Sequence, residues 1–183
     1  MIVIVIGTSG SGKSTLVRTA IATYEDANED PIYAPGRRQP VGYQMGPWFI
    51  VGHYETACGG ADTIKTPDEL FRMMREHDNV VAEGVLMYSY AARIEALKAE
   101  GKDVRVIALT KVSLAECLKS IEARRAAKDN PKPVDDRTRR NCEAKHKGVV
   151  SCADRLAKAG VPVYRCDRVE ALDLLMEFLD ECS

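Results

Sequence analysis

Close to its start the chain holds a cluster of residue types whose spacing chemistry demands. Gly7, Gly12, Lys13 and Ser14 complete G-x-x-x-x-G-K-[ST], a loop whose backbone N–H groups cradle phosphates. Gly7, Gly10 and Gly12 supply the tight bend. Thr8, Ser9 and Ser11 fill the loop and are candidate phosphate contacts. Lys13 has the reach for the β and γ phosphates, and the Ser14 hydroxyl is a candidate Mg2+ ligand. Thr15 adds a further hydroxyl donor.

Other candidates lie far downstream. Glu83 ends an apolar run abruptly; it fits either a base for an attacking hydroxyl or a carboxylate orienting Mg2+ through water. Arg124 and Arg125 precede a Pro-rich stretch, with Arg137, Arg139 and Arg140 beyond it; residues 122–140 read as a lid whose guanidinium groups brace a phosphoryl. Arg168 stands after the last strand and is assigned to the nucleotide. The string 52–63, G-H-Y-E-T-A-C-G-G-A-D-T, offers Tyr54 to stack on a base and Glu55 or Asp62 to accept from a hydroxyl, with Asp62 the alternative base. Arg37 and Arg38 are candidate grips on an acceptor phosphate. Taken singly, each also fits a turn, a buried ring or a surface pair.

These residues need elements to hold them. Residues 2–6 are an unbroken β-branched run, suited to a strand buried on both faces. A helix is expected over about 12–24, opened by the loop. Thr66-Pro67-Asp68-Glu69 signals a helix start with a capping box, and Ser113 with Glu116 signals another. Strands are expected over 79–82, 104–109 and 161–166, and helices from about 89, 113, 138 and 169. Cys142, Val149, Val150, Ala153, Leu156 and Ala157 form the expected buried stripe of the 138 helix. Strands alternating with helices imply an α/β fold with a parallel sheet covered on both faces. Residues 31–65 differ, with six of the 13 glycines, four of the eight prolines and five of the 11 aromatics. Strands over 41–45 and 48–51 fit around Gly46-Pro47, and the whole reads as a structured insertion outside the core scaffold.

The chain of 183 residues suits one domain. No apolar run approaches the roughly 20 residues of a membrane helix, and Met1 leads straight into a strand, so neither membrane span nor signal peptide is expected. Six cysteines without a C-x-x-C pair read as reduced thiols of a cytoplasmic protein. Net charge is −1, yet residues 122–147 carry nine Lys/Arg against five Asp/Glu, a local +4. That pattern suits a local phosphate site better than general coating of nucleic acid.

The P-loop, the lid-like Arg124-Arg125 and the strand–helix order resemble the nucleotide and nucleoside kinase group of P-loop proteins. More narrowly, G-H-Y-E-x-x-C-G-G-x-D-T and R-R-A-A-K…P-K-P resemble small bacteriophage-encoded kinases. The resemblance implies a P-loop kinase-type sheet, ATP with Mg2+, and phosphoryl transfer to a hydroxyl, as in relatives that phosphorylate the hydroxymethyl group of 5-hydroxymethyluracil in phage DNA. Acting in a host cytoplasm follows from the same likeness. The residues themselves fit GTP as well as ATP, and leave open a deoxynucleoside monophosphate as acceptor. A nucleotide-operated ATPase or switch is the third reading, although the D-x-x-G and N-K-x-D strings of GTPase switches have no match.

Overall fold

A computed structural model describes residues 1–24, 30–56, 59–127 and 132–182. One seven-stranded sheet forms its spine, in the order β2-β3-β4-β5-β1-β6-β7. The strands are β1 (Ile2–Ile6), β2 (Asp30–Ile32), β3 (Gly42–Met45), β4 (Trp48–Val51), β5 (Asn79–Glu83), β6 (Val104–Ala108) and β7 (Val163–Arg165). Pairs from β4 through β7 are parallel, whereas β2-β3 and β3-β4 are antiparallel. The helices are α1 (Lys13–Thr23), α2 (Pro67–Glu76), α3 (Ala91–Ala99), α4 (Leu114–Ala126), α5 (Asp136–Lys158) and α6 (Arg168–Asp180).

All five residues of β1 are fully buried, as its continuous apolar sequence requires. Alternation then sorts them. Ile2, Ile4 and Ile6 pack with Phe71 of α2, Ile94 of α3 and Leu156 of α5, while Val3 and Val5 pack with Leu16 of α1, Ile121 of α4 and Leu175 of α6. Helices thus cover both faces of a largely parallel sheet, the α/β architecture expected.

The expectation for residues 31–65 needs correction. Residues 42–51 are scaffold: Trp48, Phe49, Ile50 and Val51 are all buried, and β4 runs parallel to β5. Gly46, with φ +52°, closes the β3-β4 hairpin, and the hairpin extends the sheet because its alternating apolar residues face both cores. The two strands expected around Gly46-Pro47 are present; what glycine and proline content hid is that they belong to the main sheet.

Smaller differences follow from local chemistry. Thr66 caps α2 by accepting from the Glu69 N–H, with the reciprocal half of the box missing, whereas Ser113 and Glu116 form both halves. Helix α5 starts at Asp136 because Asp135 accepts from the Thr138 N–H. Its stripe includes Cys152, while Ala157 is exposed and Val150 half-buried. Of the Pro-rich stretch, residues 128–131 lie outside the described residues, as does Cys58 of the 52–63 string. Among the described residues no helix is long and apolar enough to cross a membrane.

Candidate active site

The carboxyl ends of β1, β5 and β6 open on a cavity of about 790 Å3, lined by residues 9, 10 and 12–15 of the loop, by Asp62 and Glu83, and by Arg124 and Arg168. That position, beyond the strand ends, is where open α/β sheets collect ligands, and the volume lies in the range of about 300–1,000 Å3 of small-molecule sites. The first turn of α1 has no side-chain cap, so its N–H groups face the loop's concavity.

Lys13 is almost fully buried, and its ammonium donates to the carbonyl oxygens of Gly7 (2.9 Å) and Thr8 (3.2 Å). Burial pushes its pKa below the usual lysine value, against the pull of Glu83 and Asp62. The Ser14 hydroxyl donates to Glu83 Oε1 at 2.7 Å. Glu83 is itself buried, and burial raises its carboxyl pKa while Lys13 and Ser14 hold it down. A hydroxyl and a carboxylate at that distance, beside a volume for phosphates, are the hard oxygen donors Mg2+ takes. Among the described residues no three His, Cys, Asp or Glu side chains form a metal cage.

The rest of the loop divides its work. Gly10, Gly12, Ser9 and Thr15 line the cavity. Thr8 and Ser11 are buried, with Thr8 Oγ1 3.2 Å from His146 Nδ1. Arg168 lies against the loop: its Nε donates to the Ser11 carbonyl (3.0 Å), and one terminal nitrogen reaches the Gly10 carbonyl (3.3 Å) and Ser120 Oγ (3.2 Å).

The two lid arginines separate. Arg124 lines the cavity, but Arg125 donates to the Pro133 carbonyl (2.7 Å) and Thr138 Oγ1 (3.1 Å). Consecutive helical residues point about 100° apart, so one faces the cavity and the other clasps the start of α5. Arg137, Arg139 and Arg140 are exposed.

The described residues of the 52–63 string meet each other beside Glu83. His53 and Gly60 bridge, and a Cβ on Gly52 would lie 2.0 Å from the Gly60 carbonyl oxygen. A Cβ on Gly60 would lie 2.5 Å from both the Glu83 carbonyl and Oε1. Gly60 therefore packs closely against Glu83, and Gly52 allows the close approach of Gly60. Asp62 is exposed on the cavity wall; its Oδ2 accepts from the Val85 N–H (2.8 Å) and Oδ1 from the Leu86 N–H (3.4 Å). Tyr54 is not at the cavity surface: its ring is buried beside Tyr43, centroids 6.4 Å apart. This corrects the stacking expectation, since the loop after β4 packs the ring into the core beside Tyr43. Glu55 is exposed and accepts from Tyr43 Oη at 3.4 Å. Arg37 donates to the Thr63 carbonyl (2.7 Å), so it anchors the Asp62 segment, while Arg38 stays exposed.

Two cationic residues of the cavity escaped the sequence reading. Arg18 of α1 donates to the carbonyls of Tyr54 (3.0 Å) and Thr56. Lys145 of α5 faces the cavity with its ammonium 3.5 Å from Ser9 Oγ, near enough to Lys13 for repulsion to lower the latter's pKa. A signal existed: Cys142, Lys145, His146 and Val149 follow i, i+3, i+4, i+7, placing two polar residues on an inward face.

Loop, helix dipole and cations converge on one nucleotide-sized volume at the edge of a parallel sheet, which puts the chain in the class of P-loop kinases. No protein-family model matches it. Over 183 residues it is 38% identical to a protein of Pseudomonas phage PaMx11 named 5-hmdU DNA kinase, an alignment covering 95% of this chain and 94% of that one. The chain belongs to the 5-hmdU DNA kinase family.

Proposed function

We propose that this protein transfers the γ phosphoryl of ATP to the hydroxymethyl oxygen of 5-hydroxymethyluracil in phage DNA, in the cytoplasm of the host cell. The reaction class rests on one observation: the Ser14–Glu83 pair beside Lys13 at the mouth of the phosphate loop. The acceptor rests on the family relative's name. The whole chain acts as one kinase domain, with the flanks of residues 31–65 on the acceptor side and residues 122–140 as lid.

The loop N–H groups and Lys13 hold the β and γ phosphates, and Arg124, Lys145 and Arg168 add positive charge around them. Ser14, with Glu83 behind it, would hold Mg2+, which supplies charge neutralisation on the phosphates. Glu83 takes the proton of the attacking hydroxyl. Its buried setting raises its basicity toward neutral pH, and Ser14 engages only Oε1. As the hydroxyl oxygen bonds to the γ phosphorus, the bond from that phosphorus to the β–γ bridging oxygen breaks and ADP leaves. Asp62 positions the turn after Glu83 through its two backbone bonds. A base inside a duplex does not reach this cavity, so the acceptor nucleotide enters extruded or from a single strand.

The test offers γ-labelled ATP with hydroxymethyluracil DNA, thymine DNA and free 5-hydroxymethyldeoxyuridine monophosphate in parallel. Label on the modified DNA alone is expected, and a folded Lys13→Ala protein is expected to lose it. Label on the monophosphate alone would make this a nucleotide kinase; full activity in Lys13→Ala would remove the P-loop from the chemistry.

A further inference from the structure

Next to the main cavity lies a second one of about 220 Å3, and Asp62 is a wall of both. Its floor is Ile64, Leu70 and Met87, all buried. Tyr90 stands at its side, fixed edge-on against Phe71 with centroids 5.9 Å apart. Leu86 forms the rim and is 49% exposed, one of the few large apolar side chains the surface shows. Lys65 is exposed at the mouth. Of the carboxylates at the start of α2, Asp68 is bonded to Arg93 at 2.6 Å.

We infer that this second cavity binds the nucleobase adjacent to the acceptor on the same DNA strand. The inference rests on the DNA reading above and adds a subsite to it. Three features choose the occupant. The volume falls below the about 300–1,000 Å3 of a site for a larger small molecule, so it suits one ring system and not a whole nucleotide. An apolar slot with a cation at its mouth matches a base with its phosphate outside. Continuity through Asp62 matches a strand that enters the main cavity with one nucleotide and leaves its neighbour at the entrance. Asp62 holds the Val85 and Leu86 N–H groups, so the partition between the two subsites and the Leu86 rim are set by one carboxylate. Such a subsite favours polymeric DNA over a free monophosphate.

The test uses short single strands carrying one hydroxymethyluracil, with the neighbouring base intact or abasic on one side at a time. Loss of the neighbour on one side is expected to lower kcat/KM about tenfold through KM, the scale of a lost stacking contact. Leu86→Asp should cause a similar loss on intact DNA, no further loss on abasic DNA, and no change in the KM for ATP. Leu86→Met should behave as wild type. A binding titration with 2-aminopurine as the neighbour reads the cavity without catalysis: a rise in emission is expected with the wild-type chain, as the base leaves its stacked neighbours for the aliphatic slot, and its loss with Leu86→Asp. Equal kcat/KM for intact and abasic strands on both sides, or unchanged 2-aminopurine emission, overturns the subsite. Absence of DNA phosphorylation with the emission change intact overturns the acceptor assignment instead.

Discussion

At the scale of single residues, two charges of the site, Lys13 and Glu83, are removed from water. Burial works in opposite senses on its two central groups, raising the pKa of Glu83 and lowering that of Lys13. The proposed base is active as the carboxylate and Lys13 as the ammonium. As pH falls, Glu83 therefore gains its proton sooner than a free glutamate of pKa about 4.3; as pH rises, Lys13 loses its own sooner than a free lysine of about 10.4. The pH profile of kcat/KM should be a bell with both limbs drawn inward. Glu83→Gln should lower kcat at least a hundredfold, change ATP binding little and abolish the acid limb. If Asp62→Asn erases that limb and Glu83→Gln keeps it, the two acids exchange roles. Lys145 makes a separate demand. Its ammonium faces the same volume as Lys13, so Lys145→Ala should cut kcat/KM for phosphoryl transfer about tenfold or more, with the melting temperature unchanged. Unchanged kinetics would reduce Lys145 to a surface charge.

At the scale of elements, α5 links the end of α4 to the phosphate loop. Its start is clasped by Arg125 at Thr138, and three successive contacts reach the loop further along: Cys142 Sγ to the Ser9 carbonyl (3.8 Å), Lys145 to Ser9, and His146 to Thr8. The C-terminal half of the helix, at Val149, Cys152 and Leu156, is packed in the opposite core from Cys142. Arg125→Ala should therefore act on the element and not on the phosphates. A loss of about 1 kcal/mol in stability is expected for its hydrogen bonds, with a smaller rate effect than Arg124→Ala, which removes a cavity charge. Denaturant melts and steady-state kinetics of both variants measure this; the reverse order of rate effects would return Arg125 to the phosphoryl group.

Across the whole molecule charge is close to balanced, at −1, so DNA engagement in the proposed reaction depends on local cations. Arg37 and Arg38 separate here. Arg38 is exposed, and Arg38→Ala should weaken DNA use uniformly and reduce the salt slope by about one. Arg37 is tied to the Thr63 carbonyl, and Arg37→Ala should loosen the Asp62 segment as well, lowering kcat in addition. Measuring kcat and KM against salt for each distinguishes them: identical behaviour would mean that the Arg37 tether has no catalytic consequence.

Contiguous residues made the phosphate loop legible. Its glycines, Lys13 and Ser14 act within eight positions of each other, so spacing alone carried the motif, the strand before it and the helix after it. The helix starts at Ser113 and Thr66 were equally local, resting on bonds spanning three residues. The α/β class followed from alternating periodicity. The strands over 42–51 were legible but their membership of the main sheet was not, because a strand's place in a sheet depends on a partner far along the chain; β4 lies beside β5, and nothing within β4 names that neighbour. The same reason hid Tyr54, whose ring packs into a core that exists only once both faces are covered. Long-range packing also decided that Gly60 shields Glu83, that Arg125 turns from the cavity, and that Lys145 crosses 136 positions to stand beside Ser9. The sequence by itself determined a phosphate-binding engine, because its geometry is a property of one short loop. Tertiary structure alone decided what surrounds that engine, because those side chains meet only when the sheet brings distant strand ends to one edge.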